Sequence, residues 1–260
     1  MEFLRLGPKG YVAEIFSSFQ GEGPYVGRRQ IFVRFAGCNL NCVYCDTPYA
    51  KEHTKLCSIE FHSGERREVK NPLSVTQVAD SVRRLLTPDV HSVSFTGGEP
   101  LLQDAFVVAV AKSLRERGLS TYLETNGFSA ERLSNVIKLF DFAAIDVKLR
   151  EHLPSDEGYE NLYENELKCV RIAIESGVET IVKVVVLGKG DLGDVKKLCE
   201  DISEFATAAP NFYFVIQPVT SPNGIKLSAS DLYGFSEAAG EFFKDRVMAI
   251  PQVHKLLKAP

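Results

Sequence analysis

The stretch Cys38-Asn39-Leu40-Asn41-Cys42-Val43-Tyr44-Cys45 places three thiols in one short loop with the spacing C-x3-C-x2-C. The other cysteines of the chain are isolated from this loop and from one another: Cys57, Cys169 and Cys199. Clustered thiols in a chain with so few cysteines favour a metal centre over a disulfide framework. An iron–sulfur cubane normally has four cysteine ligands. A cubane held by three cysteines keeps one open iron, where a small molecule can bind.

A zinc-binding module is the alternative that this loop leaves open. Structural zinc takes four ligands, commonly as two closely spaced pairs. Downstream, His53 and Cys57 complete such a set only at irregular spacing. We therefore favour the iron–sulfur interpretation, and iron and sulfide analysis distinguishes the two.

The composition excludes several classes of protein. The 260 residues are 45% hydrophobic and 25% charged, which is typical of a globular chain and not of a disordered one. A net charge of -4 provides no strong field for nucleic acid or an anionic membrane surface, so we expect neither as a partner. Apolar runs are far shorter than the ~20 residues of a membrane span. The N-terminus lacks a signal-peptide pattern, and we expect a cytoplasmic protein.

Outward from the cysteine loop, strand and helix patterns alternate along the chain. The predicted strands are 31–36, 91–95, 121–125, 142–148, 179–187 and 212–219. The predicted helices are 75–86, 103–117, 129–139, 160–176, 191–206 and 228–244, the first with a Ser74–Gln77 capping box. This alternation predicts a parallel sheet with right-handed crossovers. Six units are too few for a closed eight-stranded barrel.

The cysteine loop, placed after the first predicted strand, resembles that of the radical S-adenosylmethionine (SAM) enzymes. The resemblance implies an α/β fold, an incomplete (β/α)6 partial TIM barrel. It also implies a [4Fe-4S] cluster on Cys38, Cys42 and Cys45, whose fourth iron is chelated by SAM. One electron from the cluster then cleaves SAM to a 5′-deoxyadenosyl radical. We expect a single domain over 1–260, with 50–72 as an inserted loop or hairpin.

The carboxyl ends of the predicted strands are polar and glycine-rich, and ligands bind at such ends in parallel α/β sheets. The second strand ends in Thr96-Gly97-Gly98-Glu99-Pro100. Its carbonyl groups and Glu99 can accept hydrogen bonds from an ammonium group. The fourth strand carries Asp146 and Lys148 among apolar residues. Such charges must either pair with neighbours or face a polar cavity, and the sequence leaves both open.

Further motifs narrow the resemblance to the 7-carboxy-7-deazaguanine synthases. They are QGEG at 20–23, CDT at 45–47, TGGEPLLQ at 96–103, ETNG at 124–127, DVK at 146–148, QPV at 217–219 and PQVHKLL at 251–257. The similarity covers most of the chain, although Tyr44 stands where many members carry Trp. It implies a ring-contracting carbon–nitrogen lyase that converts 6-carboxy-5,6,7,8-tetrahydropterin to 7-carboxy-7-deazaguanine with loss of ammonia. This reaction belongs to 7-deazapurine (queuosine or archaeosine) biosynthesis.

The same resemblance implies roles for individual residues, with the radical supplied by the cofactor and no catalytic side chain assigned. Thr47 is the expected Mg2+ ligand through its hydroxyl. The expected SAM-binding residues are Tyr44, Cys45, Asp46, Gly98, Asp146, Val147, Lys148, Gln217, Pro218, Val219 and Thr220. The expected substrate-binding residues are Phe19, Gln20, Gly21, Glu22, Arg34, Thr96 and Pro260, with Pro260 closing over the substrate. Within this set Arg34 can pair the substrate carboxylate, and Gln20 and Glu22 offer donors and acceptors to the pterin.

Several alternatives remain open at this stage. Thr47 can instead cap the turn that follows it, and Arg34 can form a surface ion pair. His254 and Lys255 either reach the site or are solvated in the tail. An alternative function is a radical SAM activase that generates a glycyl radical on a partner protein. For the lyase we expect a flavodoxin- or ferredoxin-like reductant and a homodimer.

Overall fold

The structure is a computed structural model, and it describes residues 7–61, 63–221, 224–257 and 259. The strands are β1 (Lys9–Gly10), β2 (Val12–Phe19), β3 (Arg29–Phe35), β4 (Leu56–Glu60), β5 (Arg66–Lys70), β6 (Leu73–Ser74), β7 (Val90–Gly97), β8 (Thr121–Thr125), β9 (Phe142–Val147), β10 (Glu179–Val186), β11 (Phe212–Pro218), β12 (Thr220–Ser221), β13 (Gly224–Ile225) and β14 (Val247–Ala249). The helices are α1 (Val75–Leu85), α2 (Asp104–Arg115), α3 (Ala130–Val136), α4 (Tyr159–Glu175), α5 (Leu192–Ala206), α6 (Ala229–Phe243) and α7 (Val253–Leu257).

One ten-stranded sheet organises the described residues, in the order β14-β11-β10-β9-β8-β7-β3-β2-β4-β5. The strands from β14 to β3 are all parallel to their neighbours. Alternate side chains on these strands, such as Val33, Val93 and Ile145, join the helices in one large apolar core. The predicted α/β partial barrel with a mostly parallel sheet is confirmed.

The sheet is larger than the sequence predicted. The six predicted strands correspond to β3 and β7 to β11, and β14 adds a seventh parallel strand beside β11. The strand β2 was also missed, and it pairs antiparallel to β3. Beyond β2, the antiparallel hairpin of β4 and β5 extends the edge of the sheet.

The helix predictions are confirmed to within a few residues. At the start of α1, the Gln77 amide donates to Ser74 Oγ at 3.3 Å, and the Ser74 amide donates to Gln77 Oε1 at 2.9 Å. This is the predicted capping box. No helix within the described ranges combines the length and apolar character needed to cross a bilayer.

The inner face of the sheet carries two layers of side chains. Tyr122, Ala144, Ile181 and Val215 form a small apolar cluster on this face, one residue from each of β8 to β11. Because residues two apart on a strand point the same way, the next inward residues towards the carboxyl ends are Glu124, Asp146, Lys183 and Gln217. The apolar layer thus forms a floor, and the polar layer above it faces the open end of the barrel.

Candidate active site

A cavity of about 420 Å³ opens at the carboxyl ends of the parallel strands. This volume suits a small organic ligand. The predicted residues that line it are Phe19, Gln20, Gly21, Glu22, Arg34, Cys38, Cys42, Tyr44, Cys45, Asp46, Thr47, Thr96, Gly98, Asp146, Lys148, Gln217, Val219 and Thr220. Two predicted residues do not line it: Val147 packs in the core on the helix side, and Pro218 is buried in the sheet. Pro260 lies outside the described residues.

Backbone hydrogen bonds hold the cysteine loop against its neighbours. The Cys38 amide donates to Lys51 O at 3.0 Å, and the Val43 amide donates to His152 O at 3.0 Å. All three thiols of the loop are half-buried and line the cavity. Burial raises the pKa of Cys38 and of Cys42, which keeps both thiols protonated until a metal replaces the proton.

The donor set fits a cluster better than a single ion. Within the described part of the chain, no three His, Cys, Asp or Glu side chains converge as ligands of one metal ion. A cubane does not require such convergence, because each thiolate binds a different iron. Three half-buried thiols on one loop, all facing one cavity, therefore fit a [4Fe-4S] cluster.

The turn after β7 brings backbone to the edge of the cavity. Gly97 has a φ of +125°, and a Cβ there would lie 2.3 Å from Phe35 O. A Cβ on Gly98 would lie 2.1 Å from Gly37 O and 2.8 Å from Ala50 O. Both positions therefore require glycine, and Gly98, whose amide donates to Phe35 O at 3.0 Å, lines the cavity.

The expectation that Glu99 accepts from a ligand ammonium group stays a prediction, and Glu99 lines the cavity. Its carboxylate is fully buried and accepts from the Leu101 amide at 2.9 Å, the Asn126 amide at 2.7 Å and Thr125 Oγ1 at 2.7 Å. Burial raises the pKa of Glu99 to about 7, against these three donors, which lower it. Through these hydrogen bonds Glu99 stabilises the turn that contains Gly98.

Substituting Gly98 with Ala should disturb this turn, because the new methyl group meets rigid backbone. We expect Gly98→Ala to lower the melting temperature by several degrees, as for a substitution costing roughly 1–3 kcal/mol. SAM binding by the reconstituted protein should weaken with it. The control is Gly193→Ala in α5, where an added Cβ has no neighbour within 4 Å. Equal melting temperatures in the two variants would contradict the tight packing at Gly98.

The polar layer above the apolar floor holds a line of charged side chains that are buried or partly buried. Lys148 Nζ lies 2.8 Å from Asp146 Oδ2 and 3.2 Å from the Tyr44 hydroxyl. Lys183 Nζ lies 3.2 Å from the same Asp146 oxygen and 2.5 Å from Glu22 Oε2. Burial alone would raise the pKa of Asp146, but the two lysines outweigh it and hold that pKa below its usual value. The two possibilities left open for Asp146 and Lys148 are thus both realised: they pair, and they face the cavity.

Two orphaned acceptors point to a polar ligand. Asp146 Oδ1 and Gln217 Oε1 are buried, and neither has a hydrogen-bond partner in the described part of the chain. Buried acceptors are rarely left unsatisfied, and both residues line the cavity. A ligand with ammonium or hydroxyl donors, such as SAM, would satisfy them.

The part of the cavity wall that adjoins this charged line is arranged around Glu124. Its Oε1 accepts from Gln20 Nε2 at 2.9 Å and from Ser94 Oγ at 3.2 Å. Its Oε2 accepts from Thr96 Oγ1 at 2.7 Å. These bonds fix the predicted substrate residues Gln20 and Thr96 on one polar wall.

Arg34 lies on the same wall and is not a surface ion pair. Its Nε donates to Glu14 Oε1 at 2.6 Å, while its side chain is only 15% exposed and lines the cavity. Burial opposes the guanidinium charge, but Tyr49 and Glu14 outweigh it and raise the pKa of Arg34. Arg34 therefore remains a fixed cation beside the cavity.

The segment 250–257, called here the C-terminal cover, closes one side of the cavity. Gln252 Nε2 lies 2.9 Å from both Glu22 Oε1 and Asp46 Oδ2, and Lys255 Nζ lies 3.1 Å from Asp46 Oδ2. His254 packs so closely on Gly21 that a Cβ there would lie 2.1 Å from its Nδ1. His254 and Lys255 therefore reach the site.

Sequence reasoning missed three residues of this site: Glu124, Lys183 and Gln252. Lys183 stands alone in the apolar strand ETIVKVVV, the same signal that singled out Asp146. Glu124 was noted only as part of a strand end, and Gln252 only as part of a motif. Their roles depend on partners more than 100 residues away in sequence, which no local pattern shows.

Comparison with known proteins places the chain in a class and then in a family. The Radical SAM superfamily model matches residues 32–202, so the chain is a radical SAM protein. It is 42% identical to the 7-carboxy-7-deazaguanine synthase of Methanocaldococcus jannaschii, over 95% of this chain and 98% of that protein. It is 36% identical to the synthase of Geobacter sulfurreducens, over 96% and 98%. The chain belongs to the 7-carboxy-7-deazaguanine synthase family of radical SAM lyases.

A solved structure agrees on the fold. The crystal structure of QueE from Escherichia coli superimposes with a TM-score of 0.61 at 20% sequence identity, covering 93% of each chain. Family membership implies a [4Fe-4S] cluster and SAM as cofactors. It also decides for the lyase against both the glycyl-radical activase and the zinc module.

Proposed function

We propose that this chain converts 6-carboxy-5,6,7,8-tetrahydropterin to 7-carboxy-7-deazaguanine with loss of ammonia. The observation that carries the proposal is a single cavity lined by the three thiols, the Gly98 turn and a polar wall with a partly buried arginine. The substrate has a carboxylate and an aminopyrimidinone edge. Arg34 matches the first, and the acceptors of Gln20, Glu22 and Glu124 match the second.

The cofactors divide this cavity into two sides. The cofactor side would hold both the cluster and SAM. Its cluster ligands are Cys38, Cys42 and Cys45, and its SAM-binding residues are Tyr44, Asp46, Gly98, Asp146, Lys148, Gln217, Val219 and Thr220. The substrate side is Phe19, Gln20, Gly21, Glu22, Arg34 and Thr96. Together the bound cofactors supply a carbon-centred radical by one-electron cleavage of a sulfonium bond.

The chain's own residues orient the substrate for that chemistry. Arg34 holds the carboxylate end, while Gln20 and Thr96, fixed by Glu124, hold the ring. The C-terminal cover, bonded to Glu22 and Asp46, shields the cavity from water. Exclusion of water protects a reactive radical from side reactions.

Thr47 is proposed as a Mg2+ ligand. It precedes the turn Pro48–Ala50, yet its side chain makes no capping hydrogen bond, which removes the alternative role, and it lines the cavity. Magnesium takes hard oxygen ligands and few from the protein. We expect Thr47→Ala to weaken the apparent Mg2+ affinity at least about tenfold, the scale seen when support for a metal is lost. Thr47→Ser, which keeps the hydroxyl, should retain it, and equal Mg2+ titrations of turnover for both variants would contradict the assignment.

Anaerobic turnover tests the function directly. The reconstituted protein is incubated with the carboxypterin, SAM, Mg2+ and dithionite, and products are separated by chromatography with mass detection. The proposal expects one ammonia and one 7-carboxy-7-deazaguanine per substrate consumed. A fully loaded protein that cleaves SAM without forming a deazapurine would overturn it.

We further infer a flavodoxin- or ferredoxin-like electron donor and a homodimer. The support for both is family membership, since the cluster needs one electron from outside the chain. Light scattering measures the oligomeric state. Turnover with purified flavodoxin in place of dithionite tests the donor.

A further inference from the structure

Lys183 lies in the polar layer above the cavity floor, between the substrate side and the cofactor side. It lies mid-strand on β10, directly opposite Asp146 of β9 in the parallel register. Its side chain is only 15% exposed. The ammonium group contacts one carboxylate from each side, Glu22 at 2.5 Å and Asp146 at 3.2 Å.

The contacts of Lys183 continue in both directions. On the cofactor side, Asp146 pairs with Lys148, and Lys148 donates to the hydroxyl of Tyr44 in the cysteine loop. On the substrate side, Glu22 Oε1 accepts from Gln252 at 2.9 Å and from Gln217 at 3.2 Å. One chain of polar contacts therefore runs from the cysteine loop to the C-terminal cover. Lys183 is its charged link between the two sides, beside the neutral amide links that Gln217 and Gln252 make to Glu22.

A partly buried cation shared by two carboxylates couples their positions. Removing a charged group from water is costly unless it is paired, so Lys183 keeps both partners close. When a ligand donates a hydrogen bond to the Asp146 carboxylate, Lys183 is less strongly held by Asp146 and more strongly by Glu22. This fixes the position of the Glu22 carboxylate. The reverse holds for a ligand that binds at Glu22, because coupling between two sites is reciprocal.

We infer that Lys183 is a positioning residue that couples the binding of SAM to the binding of the carboxypterin. The inference rests on the proposed function, since it takes these two molecules as the ligands of the two sides. It assigns Lys183 no contact with the reacting atoms. Its role is to make each ligand bind more tightly when the other is present.

Equilibrium dialysis of SAM tests this coupling on the reconstituted enzyme. The cluster is left oxidised, so that no electron is supplied and both ligands bind without turnover. In the unmodified enzyme, saturating carboxypterin should tighten SAM binding about tenfold, within the range of known couplings. In Lys183→Met the ratio should fall to about one, whereas Lys183→Arg should retain part of it.

Two controls distinguish a loss of coupling from a loss of folding. Lys197→Met removes an exposed lysine that pairs with Asp201 at 2.6 Å, and its ratio should equal that of the unmodified enzyme. If Lys183→Met fails to fold, Lys183→Gln takes its place, because it removes the charge but keeps a hydrogen-bond donor, and it should show the same ratio near one. Iron content and the melting temperature report whether each variant folds.

A failure of this inference can be distinguished from a failure of the proposed function. An enzyme that forms the deazapurine but shows no coupling, or a folded Lys183→Met that keeps tenfold coupling, overturns the inference alone. An enzyme that neither binds nor converts the carboxypterin overturns the proposed function. Loss of coupling in the Lys183 variants, with full coupling in Lys197→Met, supports the inference.

Discussion

Replacing Cys42 with Ser should abolish cluster binding and turnover, whereas replacing Cys169 with Ser should leave both intact. A serine hydroxyl ionises far less readily than a thiol and is a poor ligand for iron in a cluster. Cys42 lines the cavity, while Cys169 is fully buried in α4 and donates to Gly127 O at 3.2 Å. Serine at 169 can make the same hydrogen bond. Iron and sulfide per chain, measured after anaerobic reconstitution, check the prediction.

The remaining isolated cysteines extend this test. Cys57 and Cys199 are fully buried, and burial raises the pKa of each thiol to about 12. Both are expected to be structural, so their Ser variants should lose some stability but no iron. A folded Cys57→Ser without its cluster would show that the ligand set extends beyond the loop at 38–45.

Most of the parallel sheet was predictable because its strands are apolar and separated by periodic helices. The strand β2 was not, since Glu14, Ser17 and Ser18 interrupt its hydrophobic pattern. Two of them bond side chains of β3 in the structure: Glu14 accepts from Arg34, and Ser17 accepts from Arg29. The strand β14 has three residues and gains its stability from β11, so no local signal marks it.

The candidate site was predictable where residues form motifs and not where they act through distant partners. The cysteine loop and Gly98 belong to recognisable segments. Glu99 belongs to such a segment too, but the sequence does not show that three donors of the protein surround its carboxylate. The position of Lys183 could be interpreted only once the structure showed Glu22 and Asp146 beside its ammonium group.

Replacing Arg34 with Gln should lower kcat/KM by about 10- to 100-fold. A hydrogen bond to a charged group contributes roughly 1.5–3 kcal/mol, and each 1.4 kcal/mol is about a factor of ten. The loss should appear mainly in KM, because the carboxylate is bound before and during the reaction. Steady-state kinetics under anaerobic conditions measure it. The control Arg29→Gln alters the same strand at an arginine that pairs with Asp89 at the surface, and it should change KM little.

A substrate analogue isolates the contribution of the carboxylate. Tetrahydropterin without the 6-carboxyl group should bind the unmodified enzyme more weakly than the carboxypterin, and Arg34→Gln should bind the two equally. Glu14→Gln offers the converse case, because Glu14 competes for the same guanidinium through the 2.6 Å bond to Nε. Removing that competing charge should leave the preference for the carboxypterin intact or increase it. If Arg34→Gln still prefers the carboxylated ligand as strongly as the unmodified enzyme does, another cation binds the carboxylate, and Lys255 of the C-terminal cover is the next candidate, since it too lines the cavity.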